Sequence, residues 1–226
     1  MWRERMCDSS IMPGRRNVKA LAIPLAIGVV IASLSTAACG NKTTSPTEAP
    51  SQNIFHADVT DPAGDVLATA GGSHPPDLVR GTVDVSGGTV AFTLQFVPGT
   101  LDRQAINVVI NLDTDQNPST GQPALSGGGT DYQVGRTAGA ITGFVSRYAP
   151  TSCANGGGCF TNVGEVPFSF GADTFTLSVP LAMLGNGTGR MNYQAFAYVA
   201  DVLPGGGLTS LGDAMPDNGL PLAHVP

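Results

Sequence analysis

The sequence predicts an all-β protein: an antiparallel β-sandwich, jelly-roll-like, preceded by a signal peptide and a disordered tether. Three observations carry that prediction. Apolar and polar residues alternate on both sides of a Gly-Gly turn within residues 78–97, a strong hairpin signature. Gly (30) and Pro (17) make up about a fifth of the 226 residues, which suits many short strands joined by turns. Helical patterning is nearly absent. Charged residues are 12% of the chain, about half the usual quarter, yet 42% is apolar, enough for a core. A coiled coil, a helical solenoid and a nucleic-acid binder are excluded, since each needs abundant Glu, Lys and Arg or a basic face.

Residues 1–38 read as a lipoprotein signal peptide. Arg15, Arg16 and Lys19 form a basic region, residues 20–34 carry no charge, and Ser35, Thr36, Ala37 and Ala38 lead into Cys39. A membrane-spanning helix is the competing reading, because residues 20–38 are charge-free over 19 positions, near the lower limit for spanning. Ala, Gly, Ser and Pro dilute that stretch. Leu34-Ser-Thr-Ala-Ala-Cys39 resembles a bacterial lipobox, with Thr36 in place of the usual aliphatic residue. The resemblance implies a lipid on Cys39, with the membrane as a partner and the outer face of the cell envelope as the location. Secretion without an anchor is the alternative. Arg15-Arg16 also offers a weakly flanked twin-arginine signal, and Met12 an alternative start.

Removal of residues 1–38 leaves 6 basic and 15 acidic residues, a net charge of −9. A negative surface opposes nucleic acid and anionic lipid headgroups. Thirteen of the remaining acids are Asp, and Lys42 is the single lysine. Short carboxylates favour turns, caps and metal loops, whereas Glu favours helices. Residues 39–52 are rich in Pro, Thr and Ser and nearly free of apolar side chains, the composition of a flexible tether. The sandwich domain then spans residues 53–226.

Its strands follow in order. Val83 and Val85 alternate with Thr82 and Asp84; Ser86-Gly87-Gly88 turns; Val90, Phe92, Leu94 and Phe96 alternate with Ala91, Thr93 and Gln95. Ile106, Val108, Ile110 and Leu112 repeat the pattern. Weaker candidates cover residues 132–136, 141–148, 175–179 and 193–199. Residues 180–184 predict one helical turn, with Pro180 at its start and Gly185 just beyond it. Seven to nine short strands at this spacing indicate a sandwich. The predicted core is Val90, Phe92, Leu94, Phe96, Ile106, Val108, Ile110, Phe175 and Leu177.

Cys153 and Cys159 flank a Gly-rich loop and are the only thiols left after cleavage and lipidation. In an exported protein such a pair predicts a disulfide. Closing this loop contributes about 2 kcal/mol on the chain-entropy estimate. A metal or redox pair is the poorer alternative, with no His nearby and no CxxC spacing.

One loop offers chemistry. After the strand ending at Leu112 comes Asp113-Thr-Asp115-Gln-Asn117-Pro-Ser-Thr-Gly121. Oxygens at alternate positions can converge on one hard cation, which takes roughly six to eight oxygen ligands near 2.4 Å. This is not an EF-hand: Pro118 stands where that loop needs Gly, and Ala124 where it needs a bidentate Glu. Further ligands must come from elsewhere, and Asp131 and Asp77 are the candidates. The competing reading is an Asx-turn loop whose side chains cap their own backbone. Asp58, Asp61 and Asp65 form a second acidic stretch, either a solvated turn or another ion site; Asp213 and Asp217 pose the same choice.

Asp61-Pro-Ala-Gly-Asp65, Pro76-Asp77-Leu78, the run from Leu112 to Gly121 and Gly129-Thr-Asp131-Tyr132 together resemble extracellular β-sandwich modules of the DOMON/CBM9-like group. The similarity covers residues 58–132 and continues weakly to Asp213-Ala-Met-Pro216-Asp217. It implies a sandwich, calcium bound at the Asp113 loop, and a ligand-binding or accessory role. CBM9-type modules hold sugars between aromatic side chains. Here Trp2 falls within the signal, leaving Tyr132, Tyr148, Tyr193 and Tyr198. Haem, held by some relatives through Met and His, finds no convincing Met–His pair.

Catalytic motifs are missing: there is no Gly-x-Ser-x-Gly elbow, no His-Glu-x-x-His and no phosphate-binding loop. The expectation is a non-catalytic, calcium-stabilised surface lipoprotein that binds an extracellular ligand, with carbohydrate or a surface protein as candidates. An envelope enzyme or accessory subunit acting on polysaccharide is the alternative.

Overall fold

The hairpin predicted at residues 78–97 forms as the alternation requires. A computed structural model describes residues 54–66, 75–123, 129–153, 159–185, 188–202, 208–217 and 222–226. The signal segment 1–38, Cys39, the tether 39–52 and the Cys153 side chain lie outside the described residues. Early strands are β1 (Phe55–Thr60), β2 (Leu78–Ser86), β3 (Thr89–Phe96), β4 (Ile106–Asp113), β5 (Gln122–Pro123), β6 (Gly129–Thr130) and β7 (Tyr132–Arg136). They are followed by β8 (Gly143–Tyr148), β9 (Phe160–Val166), β10 (Phe168–Phe170), β11 (Thr174–Pro180), β12 (Met191–Val202), β13 (Leu208–Met215) and β14 (Ala223–Val225).

The strands build two antiparallel sheets packed face to face. One has the order β1-β2-β3-β11-β10; the other runs β13-β12-β4-β7-β8-β9, with β14 also paired to β12. β5 and β6 make a separate small ribbon. The chain changes layer three times, between β3 and β4, between β9 and β10, and between β11 and β12. All described residues fall within one compact unit. Among them, no helix is long and apolar enough to cross a membrane.

Gly87 and Gly88 both have positive φ, +58° and +78°, as a two-residue type I′ turn demands. That turn sets the register Val83↔Phe92 and Val85↔Val90, so the alternating apolar residues of both strands share one face. All nine predicted core residues are buried at 1% exposure or less. Burying each large apolar side chain is worth roughly 1.5–3 kcal/mol relative to leaving it in water. Phe92 meets Tyr193 of the opposite sheet edge to face, with ring centroids 6.1 Å apart. Arg136, almost fully buried at the end of β7, lies over Phe168 and Phe170 of β10 and donates to the Ile106 carbonyl (2.9 Å). Its guanidinium ties the layers at one edge.

The helical turn predicted at residues 180–184 is a 3-10 turn, Leu181–Leu184, ended by Gly185 in the left-handed region. The sequence did not single out β1, β9, β10, β13 or β14. β9 alternates little because most of its side chains face water, and Leu211–Met215 of β13 is buried throughout.

Two candidate metal centres

The first centre is built at the end of β4. Asp113 closes that strand opposite Asn192 of β12, and the chain then turns through residues 114–121. The β5–β6 ribbon folds the following segment back, so that Asp131 reaches the same loop. This return requires glycine: a Cβ on Gly129 would collide with the Thr120 carbonyl, and one on Gly121 with the Thr130 backbone. The Asp131 main chain is held between neighbours, its N–H donating to the Leu112 carbonyl (2.8 Å) and its carbonyl accepting from Tyr148 N–H (2.7 Å). Carboxylate oxygens of Asp113, Asp115 and Asp131 lie within 4.8 Å of one another.

Most of these oxygens already have donors. Asn117 N–H donates to Asp113 Oδ1 (3.0 Å) and to Asp115 Oδ1 (2.9 Å). Asn192 Nδ2 donates to Asp113 Oδ2 (3.1 Å). Thr114 N–H and its hydroxyl both donate to Asp131 Oδ2, at 2.9 and 3.0 Å. The Thr120 hydroxyl lies within hydrogen-bond distance of both Asp115 oxygens. Asn117 turns its side-chain oxygen to Ser119 N–H (3.1 Å). The loop therefore combines both sequence readings: a focus of carboxylates, and Asx-turn capping of its own backbone. Burial raises the pKa of Asp113, against the stabilising donors Asn192 and Asn117, and the neighbouring Asp115 raises it further.

Asp77 does not join this centre. Its Oδ2 accepts from Gly64 N–H (2.9 Å), its N–H donates to the Thr100 hydroxyl (3.2 Å), and its carboxyl is buried beside the second acidic stretch. The next residue, Leu78, donates its N–H to Asp213 Oδ2 (2.8 Å) on β13 of the opposite sheet. Oxygens of Asp61, Asp65 and Asp213 lie within 4.8 Å of one another. Asp213 stands opposite Ala197, whereas Asp113 stands opposite Asn192. Five positions along β12 place the two centres about 17 Å apart along the strand. Asp58 is not part of either group; it forms a two-pronged pair with Arg80, its Oδ1 2.9 Å from Nε.

The second centre is short of donors. Asp61 Oδ2 and Asp77 Oδ1 are buried with no hydrogen-bond partner. A buried polar atom in that condition costs roughly 1–3 kcal/mol, more when charged. Burial, then the charges of Asp213, Asp217, Asp65 and Asp77, push the Asp61 pKa up to about 7. Asp213 rises to about 6, mainly by burial, with Asp65 and Asp77 adding to it and the Leu78 and Ala214 N–H groups opposing.

Beside the first centre lies a cavity of about 380 Å³, lined by Thr114, Asp115, Asp131, Tyr132, Arg147 and Tyr148 among others. Tyr148 packs edge to face on Phe160, 5.8 Å between centroids. Both centres offer oxygen ligands only, the donor set of a hard cation. No protein-family model matches the chain, and no curated protein is similar to it in sequence. Sequence reasoning singled out neither Asn192 nor its contact His224, whose Nδ1 lies 3.0 Å from Asn192 Oδ1 and from Gln116 Nε2. No local signal marks them, since these partners are 32 to 108 positions apart.

Proposed function

We propose that the chain is a non-catalytic, exported lipoprotein module of the DOMON/CBM9-like kind, anchored through Cys39 to the cell envelope. Calcium at the Asp113 loop stabilises it, and an extracellular carbohydrate is its ligand. The observation that carries the reading is the convergence of Asp113, Asp115 and Asp131 within 4.8 Å, beside a cavity that Asp115 and Asp131 line together with Tyr148 and Arg147. Calcium held there rigidifies the loop that forms one wall of the cavity, while Tyr148 offers a ring face and Arg147 a donor to a hydroxyl-rich ligand. Extracellular modules bind calcium at roughly 10⁻⁴–10⁻³ M, so export loads the site. The Cys153–Cys159 disulfide belongs to the same proposal, as suits an oxidising compartment.

The test is a glycan array read with calcium and with EDTA. Retention of a glycan in calcium only, abolished by Asp115→Ala, supports the reading. Binding indifferent to EDTA and to Asp115→Ala removes the calcium part of it. Hydrolysis of any glycan replaces it with an envelope enzyme or its accessory subunit.

A further inference from the structure

We propose that Asp61, Asp65, Asp77 and Asp213 form a second divalent-cation site, selective for calcium over softer metals, that clamps one sheet of the sandwich to the other. Geometry carries it. Three of the four side chains already bring oxygens within 4.8 Å of one another. The fourth, Asp77, is 8% exposed, and its Oδ1 is buried with no hydrogen-bond partner. Its other oxygen is held by Gly64 N–H, the residue before Asp65, and its neighbour Leu78 is bonded to Asp213. Those two bonds tie Asp77 and the residue after it to the segment that carries Asp65 and to Asp213 itself. Asp61 contributes a second bare oxygen, Oδ2.

Among the described residues no Lys, Arg or His pairs with any of the four; the ion pairs present join His56 to Asp84 and Arg80 to Asp58. Buried carboxylate oxygens without donors need either protons or a cation. An all-oxygen set of carboxylates suits calcium and offers nothing to thiophilic metals. The ligands come from both layers. Asp61 follows β1 and Asp77 precedes β2 in one sheet, whereas Asp213 belongs to β13 in the other. An ion there joins the edge hairpin β1–β2 to β13 across the core. The site is independent of the Asp113 loop, and its success or failure does not depend on that reading.

The experiment is a calcium chloride titration by calorimetry on the EDTA-stripped full-length chain, comparing wild type with Asp77→Asn, Asp61→Asn and Asp115→Asn. The expected result is two ions per chain in wild type, one in Asp77→Asn and in Asp61→Asn, and the Asp61/Asp77 ion retained in Asp115→Asn. If the Asp113 loop holds no calcium, wild type binds one ion, which Asp61→Asn removes and Asp115→Asn keeps. Asp61→Asn also guards against misfolding: in EDTA it melts at or above wild type, since one repelling charge is gone. An ion count unchanged in both Asp61→Asn and Asp77→Asn overturns the proposal.

Discussion

The two acidic centres draw on the same residue type and differ in what meets their oxygens. At the Asp113 loop, main-chain N–H groups, the Thr114 and Thr120 hydroxyls and Asn192 supply donors from within a few ångströms. At the Asp61 cluster, Asp213 has N–H donors, while one oxygen each of Asp61 and Asp77 is buried bare. A loop that caps itself is already shaped for a cation, which then only tightens it. A cluster assembled from two sheets leaves its charges to repel one another. Proximity of carboxylates alone therefore does not rank metal sites; unmet hydrogen-bonding capacity does.

The largest test of that contrast is removal of calcium. Saturation of one site at a hundredfold excess over its dissociation constant adds about 2.7 kcal/mol. For a domain of this size that is about 5–10 °C in melting temperature, lost on adding EDTA. Scanning calorimetry should show a loss at both sites and the larger one at the Asp61 cluster, so that Asp61→Asn keeps the smaller part of the response to calcium and Asp115→Asn the larger part. The reverse assignment would break the comparison.

Asp113→Ala measured in EDTA is next. Its oxygens accept from Asn117 and Asn192 at a site 2% exposed, so truncation strands those donors and costs roughly 1–3 kcal/mol with no metal involved. Denaturant unfolding of this variant beside Asp61→Asn should give opposite signs.

The pH profile sharpens the point. Asp61, at about 7, and Asp213, at about 6, bind protons more tightly folded than unfolded. Their contribution is fully present below the ordinary carboxylate value and is lost as pH rises through about 6 and then about 7. Chelated protein is therefore expected to unfold more easily at pH 8 than at pH 5, and Asp61→Asn to flatten the slope. A flat wild-type profile in EDTA would show that the cluster does not hold its protons.

Smallest is Tyr193→Phe. The Tyr193 hydroxyl is buried without a partner, like the Asp61 and Asp77 oxygens, yet it is neutral and sits near Met215 and Gly81. Removing it should change stability by no more than about 1 kcal/mol, in the stabilising direction, and leave the calcium response untouched.

Much of the sandwich was legible. The β2–β3 hairpin and β4 announce themselves through period-2 alternation over near neighbours, β7 is a weaker candidate, and every predicted core residue is buried. β1 does alternate, with Phe55, Ala57 and Val59 inward and His56, Asp58 and Thr60 exposed, but only Asp58 is read from it, as part of an acidic stretch. β9 escaped because its side chains are mostly exposed, and β13 because Leu211–Met215 is buried without alternation. Within the Asp113 loop, Asp113, Asp115 and Asp131 were expected together and come together. Asn117 spends its side chain on its own turn, and Asp77 belongs to the other centre.

From its own order of residues the chain determined a sandwich of short antiparallel strands and an acidic loop after Leu112, because alternation and turn chemistry act between residues a few positions apart. Which carboxylates share a centre was decided only in three dimensions. Leu78 and Asp213 are 135 residues apart, and they meet because three changes of layer bring β13 over the start of β2. Charge placed that way is invisible to spacing, since its cost arises only when packing removes the water around it.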